Sequence, residues 1–481
     1  MVGIRSYGAY LPAFKLDRKA IAKAWDFPKA PGSKSVANQD EDSITMGVAA
    51  ALNCLGDIDP NEIDGIFFAT TTPPYTEKQN ASTIASVLDL RKDIITADFT
   101  NTTKAGTTAL RSAFDAISTG KSKNILVVIA DKRNPQPVSM YEYQMADGAA
   151  ALLISDEDGI ARIEGYYSLN NELVGPWRME GDPYVHSFEV KVETKIGYMQ
   201  TIIGAIKGLM EKYEISPDSI AKAAYYSPDP RSHGRVGKAL KIPTKAMVDS
   251  NFMEMGNTGT SLCFHILIMA LEKAPANGNI ILAGYGDGAD AFYLVATDKA
   301  SEMKKEKGKF QKLIKSQILI ENYVKYLENR LLIKTRDFFV RKSSPVMMWR
   351  DEKTVNPLYG FKCKDCGMVQ YPLMIANCMK CSSSNIEPVK MGRKGKIFTF
   401  SLDHLIGGEY RQTPIPRCVI DLEGGARILL DMTDCFPRDT YVGQEVELTY
   451  RKISEAADFP NYYWKCRPID RKKKKEPEEA S

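Results

Sequence analysis

Residues 98–114 read DFTNTTKAGTTALRSAF, and the reading of the whole chain turns on this stretch. Asp98 to Asn101 has the polarity of a strand end, a Gly/Thr-rich turn follows, and a helix is expected from Thr107 onward. Such turns suit reactive side chains, because the unpaired N–H groups and the dipole at a helix N-terminus stabilise an anion. A cysteine placed there ionises readily. The residue at the head of this turn is Thr103, which has no thiol to offer.

The same texture extends on both sides. DGIFFATTT (64–72), KNILVVIAD (123–131) and AAALLIS (149–155) read as buried strands, and AAYYSPDP (223–230) and GNIILAGYG (278–286) repeat the style. Amphipathic segments such as SITMGVAAALNCLG and VETKIGYMQTIIGAIKGLMEKYE lie between them. Apolar strands divided by helices predict an α/β domain with a parallel or mixed sheet covered by helices. Two similar strand-rich blocks, about 1–165 and 200–300, suggest duplication, with halves at 1–165 and 166–300. Residues 301–344 are lysine-rich with a helical period and are expected to form a connector that packs one face on a neighbour. After Pro345 the short β-type runs at 395–405, 417–423, 426–434 and 444–453 are separated by Gly and Pro. That is the pattern of a small antiparallel barrel.

Composition narrows the partners. With 481 residues the chain is long enough for several domains and at least one large core. A net charge of only +4 gives no reason to expect nucleic acid or an anionic membrane. The last block, 471–481, follows its lysines at once with acidic residues and reads as a solvated, disordered tail, with nucleic-acid contact as the alternative. No stretch approaches the roughly 18–20 apolar residues of a membrane span, and the opening MVGIRSYGAYLPAF lacks the long apolar core of a signal peptide. Nine cysteines, four with metal-site spacing, favour a reducing cytoplasm over a disulfide framework.

Those four form the strongest motif. Cys363-x-x-Cys366 and Cys378-x-x-Cys381 are separated by eleven residues, so two tight knuckles can present four thiolates to one tetrahedral ion. No ligand position is left open, which predicts structural zinc, the rival being a redox CxxC pair. Cys418, Cys435 and Cys466 have no CxxC partner, and Cys54 and Cys263 lie in apolar helical stretches as packing residues. Other motifs are weaker: Asp147-Gly148 before a strand, Asn257 on a Gly-flanked turn before a helix, and the glycine-rich loop GYGDGADAF at 284–292. Neither glycine run has the spacing of a phosphate loop. Of the four histidines, His265 is read as buried or partner-facing, while His186 and His233 are read as ordinary surface residues or as acid–base candidates. His404 adds no motif.

Together these segments resemble the thiolase superfamily, most closely the archaeal-type 3-hydroxy-3-methylglutaryl-CoA synthases. The likeness covers roughly residues 1–300 and rests on VGIRSYGAYLP, FFATTTPPYTEKQNASTIASVLDL, ADFTNTTKAGTTAL, DGAAALLIS, MGNTGTSL and GYGDGADAF, in that order. It implies a duplicated five-layer α/β fold, dimers and binding of an acyl-CoA. Residues 345–390 and 391–470 resemble, respectively, the rubredoxin-like zinc ribbon and the OB-fold barrel of small proteins that accompany such enzymes, here fused to the chain.

The resemblance fails at the chemistry. It implies a cysteine at Thr103, a glutamate at Thr71 and a histidine at about Ser227, while the turn asparagine is kept as Asn257. Asn257, Gly286 and Gly288 are the positions expected to line the CoA-thioester pocket. A threonine hydroxyl is far less acidic than a thiol, and a helix dipole worth at most about 2 kcal/mol cannot ionise it. The expected function is therefore an auxiliary, non-acylating subunit of a CoA-dependent acyltransferase complex, paired with an active thiolase-type chain or as a homodimer. The alternative is an acyl-CoA aldolase or synthase that needs no covalent cysteine. In it Thr103, Asn257 and a tyrosine such as Tyr75, Tyr225 or Tyr226 would polarise a carbonyl. A nucleic-acid-binding role, suggested by a zinc ribbon beside an OB-fold, lacks the basic–aromatic stripe it would need.

Overall fold

The computed structural model describes all residues except 29, 174, 188, 303–307, 334–343, 374–375, 405–413, 457–458 and 471–481. The expected tail lies wholly outside the described residues, and the expected connector partly so. The chain divides into two compact units: residues 1–37, 42–85 and 90–330 form the first, and residues 38–41, 86–89 and 331–481 the second.

The strands of the first unit, in chain order, are β1 (Gly3–Tyr10), β2 (Phe14–Asp17), β3 (Ser33–Val36), β4 (Gly65–Ala69), β5 (Ile95–Phe99) and β6 (Asn124–Lys132). They continue with β7 (Asp147–Ser155), β8 (Ala161–Asn170), β9 (Ile220–Tyr225), β10 (Asn279–Tyr285), β11 (Gly288–Ala296) and β12 (Ile318–Ile320). Nine of them run in the order β5-β4-β6-β7-β1-β8-β11-β10-β9. In the first half β5, β4 and β6 are parallel and β7 and β1 follow antiparallel. In the second half β9 and β10 are parallel, and β11 and β8 follow antiparallel. The halves join where Gly3 and Ile4 pair with Arg162 and Ala161. Even the edge strand β5 has a counterpart, since Met247 bridges Ala223 of β9 in parallel. The same order of parallel and antiparallel pairs, twice over, is a duplication visible in topology.

Helices complete the layers. Ser43–Leu55 packs on β1, β6 and β7, and Thr201–Lys212 packs on β8, β10 and β11. Ala105–Ser118 and Leu262–Leu271 each touch strands of both halves and so lie between them. All ten residues of Leu262–Leu271 are buried, which explains why this segment is apolar on every side. The two central helices approach closely at Gly106, where a Cβ would stand 2.6 Å from the Phe264 ring.

One reading changes. The strand expected at 223–230 stops at Tyr225, because Asp229 turns its carboxylate to the Ser232 N–H (2.9 Å) and starts the helix Pro230–Ala239. Within the lysine-rich segment Phe310, Ile314 and Tyr326 are the buried face, and β12 pairs with β2.

The second unit contains a three-stranded sheet of β13 (Tyr359–Cys363), β14 (Val369–Gln370) and β15 (Ile386–Lys390), in the order β14-β13-β15. Next come β16 (Lys394–Asp403), β17 (Ile415–Leu422), β18 (Arg427–Asp431), β19 (Glu445–Ala456) and β20 (Phe459–Pro468), in the order β18-β17-β16-β19-β20. A bridge from Met432 to Cys466 nearly closes this sheet into a barrel. Arg451 of β19 is buried and pairs with Asp40 (3.0 Å), Glu41 (2.9 Å) and Asp434 (2.5 Å), which accounts for the grouping of residues 38–41 with this unit.

Candidate functional site

Each central helix of the first unit is preceded by a turn, and the two turns carry Thr103 and Asn257. The first leaves β5 through Asn101, whose φ is 75°, and the N–H of Ala105 bonds the carbonyl of Thr102 as the helix begins. Thr103 donates its hydroxyl proton to the carbonyl of Tyr285 at 2.6 Å. The contact requires glycine next door: a Cβ on Gly286 would lie 2.5 Å from Thr102 Oγ1 and 2.6 Å from Thr103 Oγ1. Gly288 follows at the start of β11, and its carbonyl accepts from the Gly286 N–H at 3.0 Å.

The second turn is held by the backbone. The N–H of Asn257 bonds the carbonyl of Gln144, and the carbonyl of Asn257 accepts from Ala146, both at 2.8 Å. The side-chain oxygen of Asn257 accepts from the Gly259 N–H (3.0 Å), which commits the amide nitrogen to donate to the Tyr226 phenol oxygen at 2.8 Å. Tyr226 thus spends a lone pair on Asn257 and keeps its own proton. Burial pushes this phenol's pKa up, while the nearby Arg133 guanidinium and the Asn257 amide pull it down. Tyr198 and Tyr285 pack against it, with ring centroids 6.1 and 5.9 Å away.

The other expected positions are engaged elsewhere. Asp131, fully buried near the end of β6, accepts on one oxygen from the Thr71 N–H (2.7 Å), the Thr71 hydroxyl (3.0 Å) and the Thr70 hydroxyl (3.1 Å). Its second oxygen accepts from the Thr260 N–H at 2.8 Å. Ser227 donates to the carbonyl of Asp229 at 2.7 Å, so the residue that meets Asn257 from the end of β9 is Tyr226. Of the other tyrosines singled out, Tyr225 donates to the carbonyl of His233, and Tyr75 lies under the Lys78 ammonium. His233 is buried and stacked on Tyr225, not on the surface, and burial lowers its pKa. His265 is buried between Thr258 and the carbonyl of Ala149. His186 lies 3.4 Å from Asp182, and His404 is exposed.

Chemically, the site offers carbonyl-polarising groups without an ionisable nucleophile. Among the described residues no imidazole or carboxylate bonds Thr103, and its proton is directed at a carbonyl, which is no base. Sequence reasoning missed Asp131 and Arg133. Their signal was the charged run Asp131-Lys132-Arg133 directly after an apolar strand.

In the second unit the four cysteines converge. Their sulfurs all lie within 4.8 Å of one another, with Cys363 to Cys381 at 3.6 Å and Cys366 to Cys378 at 3.5 Å. A tetrahedral ion with Zn–S bonds of about 2.3 Å needs sulfurs about 3.8 Å apart, so the set fits. The two knuckles share one backbone pattern. Gly367 and Ser382, each following a second cysteine, have left-handed φ values of 76° and 59° and donate to the carbonyls of Cys363 and Cys378. Cys54, by contrast, is buried, and its thiol is pushed up to about 12.

Among the described residues no helix is long and apolar enough to cross a membrane. No family model matches the chain. It is 31% identical over 347 residues to a hydroxymethylglutaryl-CoA synthase of Thermococcus sibiricus, covering 70% of this chain and 97% of that one. A hydroxymethylglutaryl-CoA synthase of Methanopyrus kandleri is 29% identical over 345 residues, covering 69% and 98%. Among solved structures, an HMG-CoA synthase complexed with CoA matches with a TM-score of 0.62 at 17% identity, covering 71% of this chain and 95% of that one. A 3-oxoacyl-[acyl-carrier-protein] synthase III from Aquifex aeolicus matches with a TM-score of 0.56 at 20% identity, covering 61% and 100%. At these identities the solved structures speak to fold.

Proposed function

This chain belongs to the hydroxymethylglutaryl-CoA synthase family, and from that premise we propose that it binds an acyl-CoA thioester at the Thr103 and Asn257 turns without being acylated. It acts as an auxiliary subunit beside an active thiolase-type chain. The observation that carries this reading is the hydrogen bond from Thr103 to the Tyr285 carbonyl. The position expected to hold the nucleophile bears a hydroxyl whose proton goes to a non-basic partner. Thr71, where an acid–base glutamate is expected, is likewise tied to Asp131. CoA as ligand is supported by the CoA complex of the related fold and by the retained Asn257, Gly286 and Gly288.

Support for a partner chain comes from β5. It is the edge strand of the large sheet, and Ile95 at its start is 49% exposed. An open edge of this kind is a template for pairing with another chain. The second unit is read as a zinc ribbon, with Cys363, Cys366, Cys378 and Cys381 holding the ion, followed by an OB-fold barrel that serves assembly or the acyl-CoA entrance. When bound, the zinc would supply cross-linking of the two knuckles and no chemistry.

A second reading has its own observation. The Asn257–Tyr226 pair presents a phenol proton that can polarise a thioester or ketone carbonyl, which suits making or breaking a C–C bond with no acyl-enzyme.

Intact-mass measurement after incubation with acetyl-CoA tests the main reading, together with affinity purification of the full chain from its source. No covalent adduct and a co-purifying thiolase-type chain are expected. An acyl adduct on the chain would refute it, and C–C cleavage by the isolated chain would favour the second reading.

A further inference from the structure

The helix Pro230–Ala239 and the turn after it carry Arg231, Arg235, Lys238, Lys241 and Lys245, all exposed. No Asp or Glu lies between Pro230 and Val248. The whole chain nets +4, so with these five charges set aside the remainder nets −1 (+4 less +5). The acids that bracket the segment are engaged by its backbone. Asp229 accepts from the N–H and the hydroxyl of Ser232 (2.9 and 2.7 Å), and Asp249 accepts from the Asn251 N–H (2.9 Å). Among the described residues none of the five charged heads makes an ion pair or a hydrogen bond.

This arrangement works against the helix that carries it. Arg231 stands in the first turn, where the dipole favours an anion, and no acid is placed there. Arg231, Arg235 and Lys238 occupy i, i+4 and i+7, the spacing that puts side chains on one face, and like charges so placed repel. A face kept for solubility alone would intersperse both signs. Local rules are broken in this way where function requires it. The platform beneath is firm: the His233 ring stacks on Tyr225 with centroids 4.3 Å apart, and a Cβ on Gly237 would lie 1.9 Å from Met247 Sδ. The outer edge of β9 is already taken, since Ala223 exchanges backbone hydrogen bonds with Ala246 and Val248. What this end of the sheet presents to a partner is therefore charge. β5 ends the same sheet on the other side, so the surface is separate from the strand edge discussed above.

We propose that this row docks an acidic helical segment of a partner protein, whose carboxylates on successive turns meet Arg231, Arg235 and Lys238, with Lys241 and Lys245 at its end. The helical row is roughly 10 Å long at 1.5 Å per residue, the reach of two turns of a facing helix. A nucleic-acid duplex or a bilayer meets a protein over a broader basic field, which a remainder netting −1 does not supply. The docking is independent of the acyl-CoA reading. A partner seated here would nonetheless lie beside the candidate site, because the helix starts four residues after Tyr226, which holds Asn257.

The test is fluorescence anisotropy of a blocked, labelled, alanine-based helical peptide with glutamates at i, i+4 and i+7, titrated with the full chain. Two variants of equal charge change are compared, Arg235→Glu with Lys238→Glu and, as control, Lys121→Glu with Lys123→Glu, with unfolding temperatures recorded for each. Binding to the native chain is expected to weaken at least about tenfold between roughly 50 and 300 mM salt. Reversal on the helix should weaken it at least about tenfold, and the control reversal by no more than about twofold. A carbodiimide, which joins an amine to a carboxylate, should link the peptide on the native chain to Lys238, Lys241 or Lys245. Absence of binding at low salt would overturn the proposal, as would equal loss in both reversed variants or cross-links confined to other lysines. Tighter binding of a DNA duplex or of anionic phospholipid vesicles than of the peptide would also overturn it, by assigning the row to another class of partner.

Discussion

Replacing Thr103 by alanine separates a scaffold from a nucleophile. The substitution removes one neutral hydrogen bond, from the Thr103 hydroxyl to the Tyr285 carbonyl at 2.6 Å. Such a bond contributes about 1 kcal/mol. For a cooperative unit of this size the unfolding temperature should fall by no more than about 4 °C. Transferred entirely to a transition state, the same energy is less than tenfold in rate. Loss of a true nucleophile would instead lower turnover by several orders of magnitude. The assay is the activity of the assembled complex, with acyl-CoA binding measured in parallel, and a change within a few-fold is expected in both. Thr103→Cys should not acquire a stable acyl-enzyme by intact mass, because among the described residues no imidazole or carboxylate hydrogen-bonds Thr103, whose proton goes to the Tyr285 carbonyl. If Thr103→Ala cuts turnover more than a hundredfold while fold and binding are intact, the auxiliary reading is wrong.

Freshly purified protein should contain about one zinc per chain by elemental analysis, and chelation or Cys366→Ser should unfold the 345–390 region, because the four thiolates are what holds the knuckles together; metal-free protein with an unchanged unfolding profile would refute this. Lys34 is fully buried, and its pKa is lowered to about 7 by burial first and by Arg330 next. The unfolded chain therefore binds more protons at this amine than the folded chain between about pH 7 and 10.4, so stability should rise with pH across that window by up to about 1.4 kcal/mol per unit. Urea unfolding of Lys34→Met should show a flatter profile than the native chain, and an identical slope would contradict the assignment. Gly286→Ala drives a Cβ against Thr102 and Thr103 at a backbone φ of 156°, and should cost roughly 1–3 kcal/mol while weakening acyl-CoA binding, measured by calorimetry; unchanged stability and binding would show that the loop yields freely.

Local rules made much of the fold legible. β4, β6, β7 and β10 read as strands because buried strands are nearly continuous apolar runs, and Leu262–Leu271 read as apolar throughout because it is enclosed on all sides. Less legible were features set by contacts far apart in sequence. For 301–344 the sequence predicts a packed face without naming Phe310, Ile314 and Tyr326 on it, since composition averages over a segment whereas packing selects one face. At the end of β9 the difficulty was phase. One residue's shift at a strand end reverses the facing side, and it separates Tyr226, which meets Asn257, from Ser227, which bonds the carbonyl of Asp229. The charged run after β6 marked Asp131, but not what it holds, because its partners Thr71 and Thr260 lie 60 and 129 residues away.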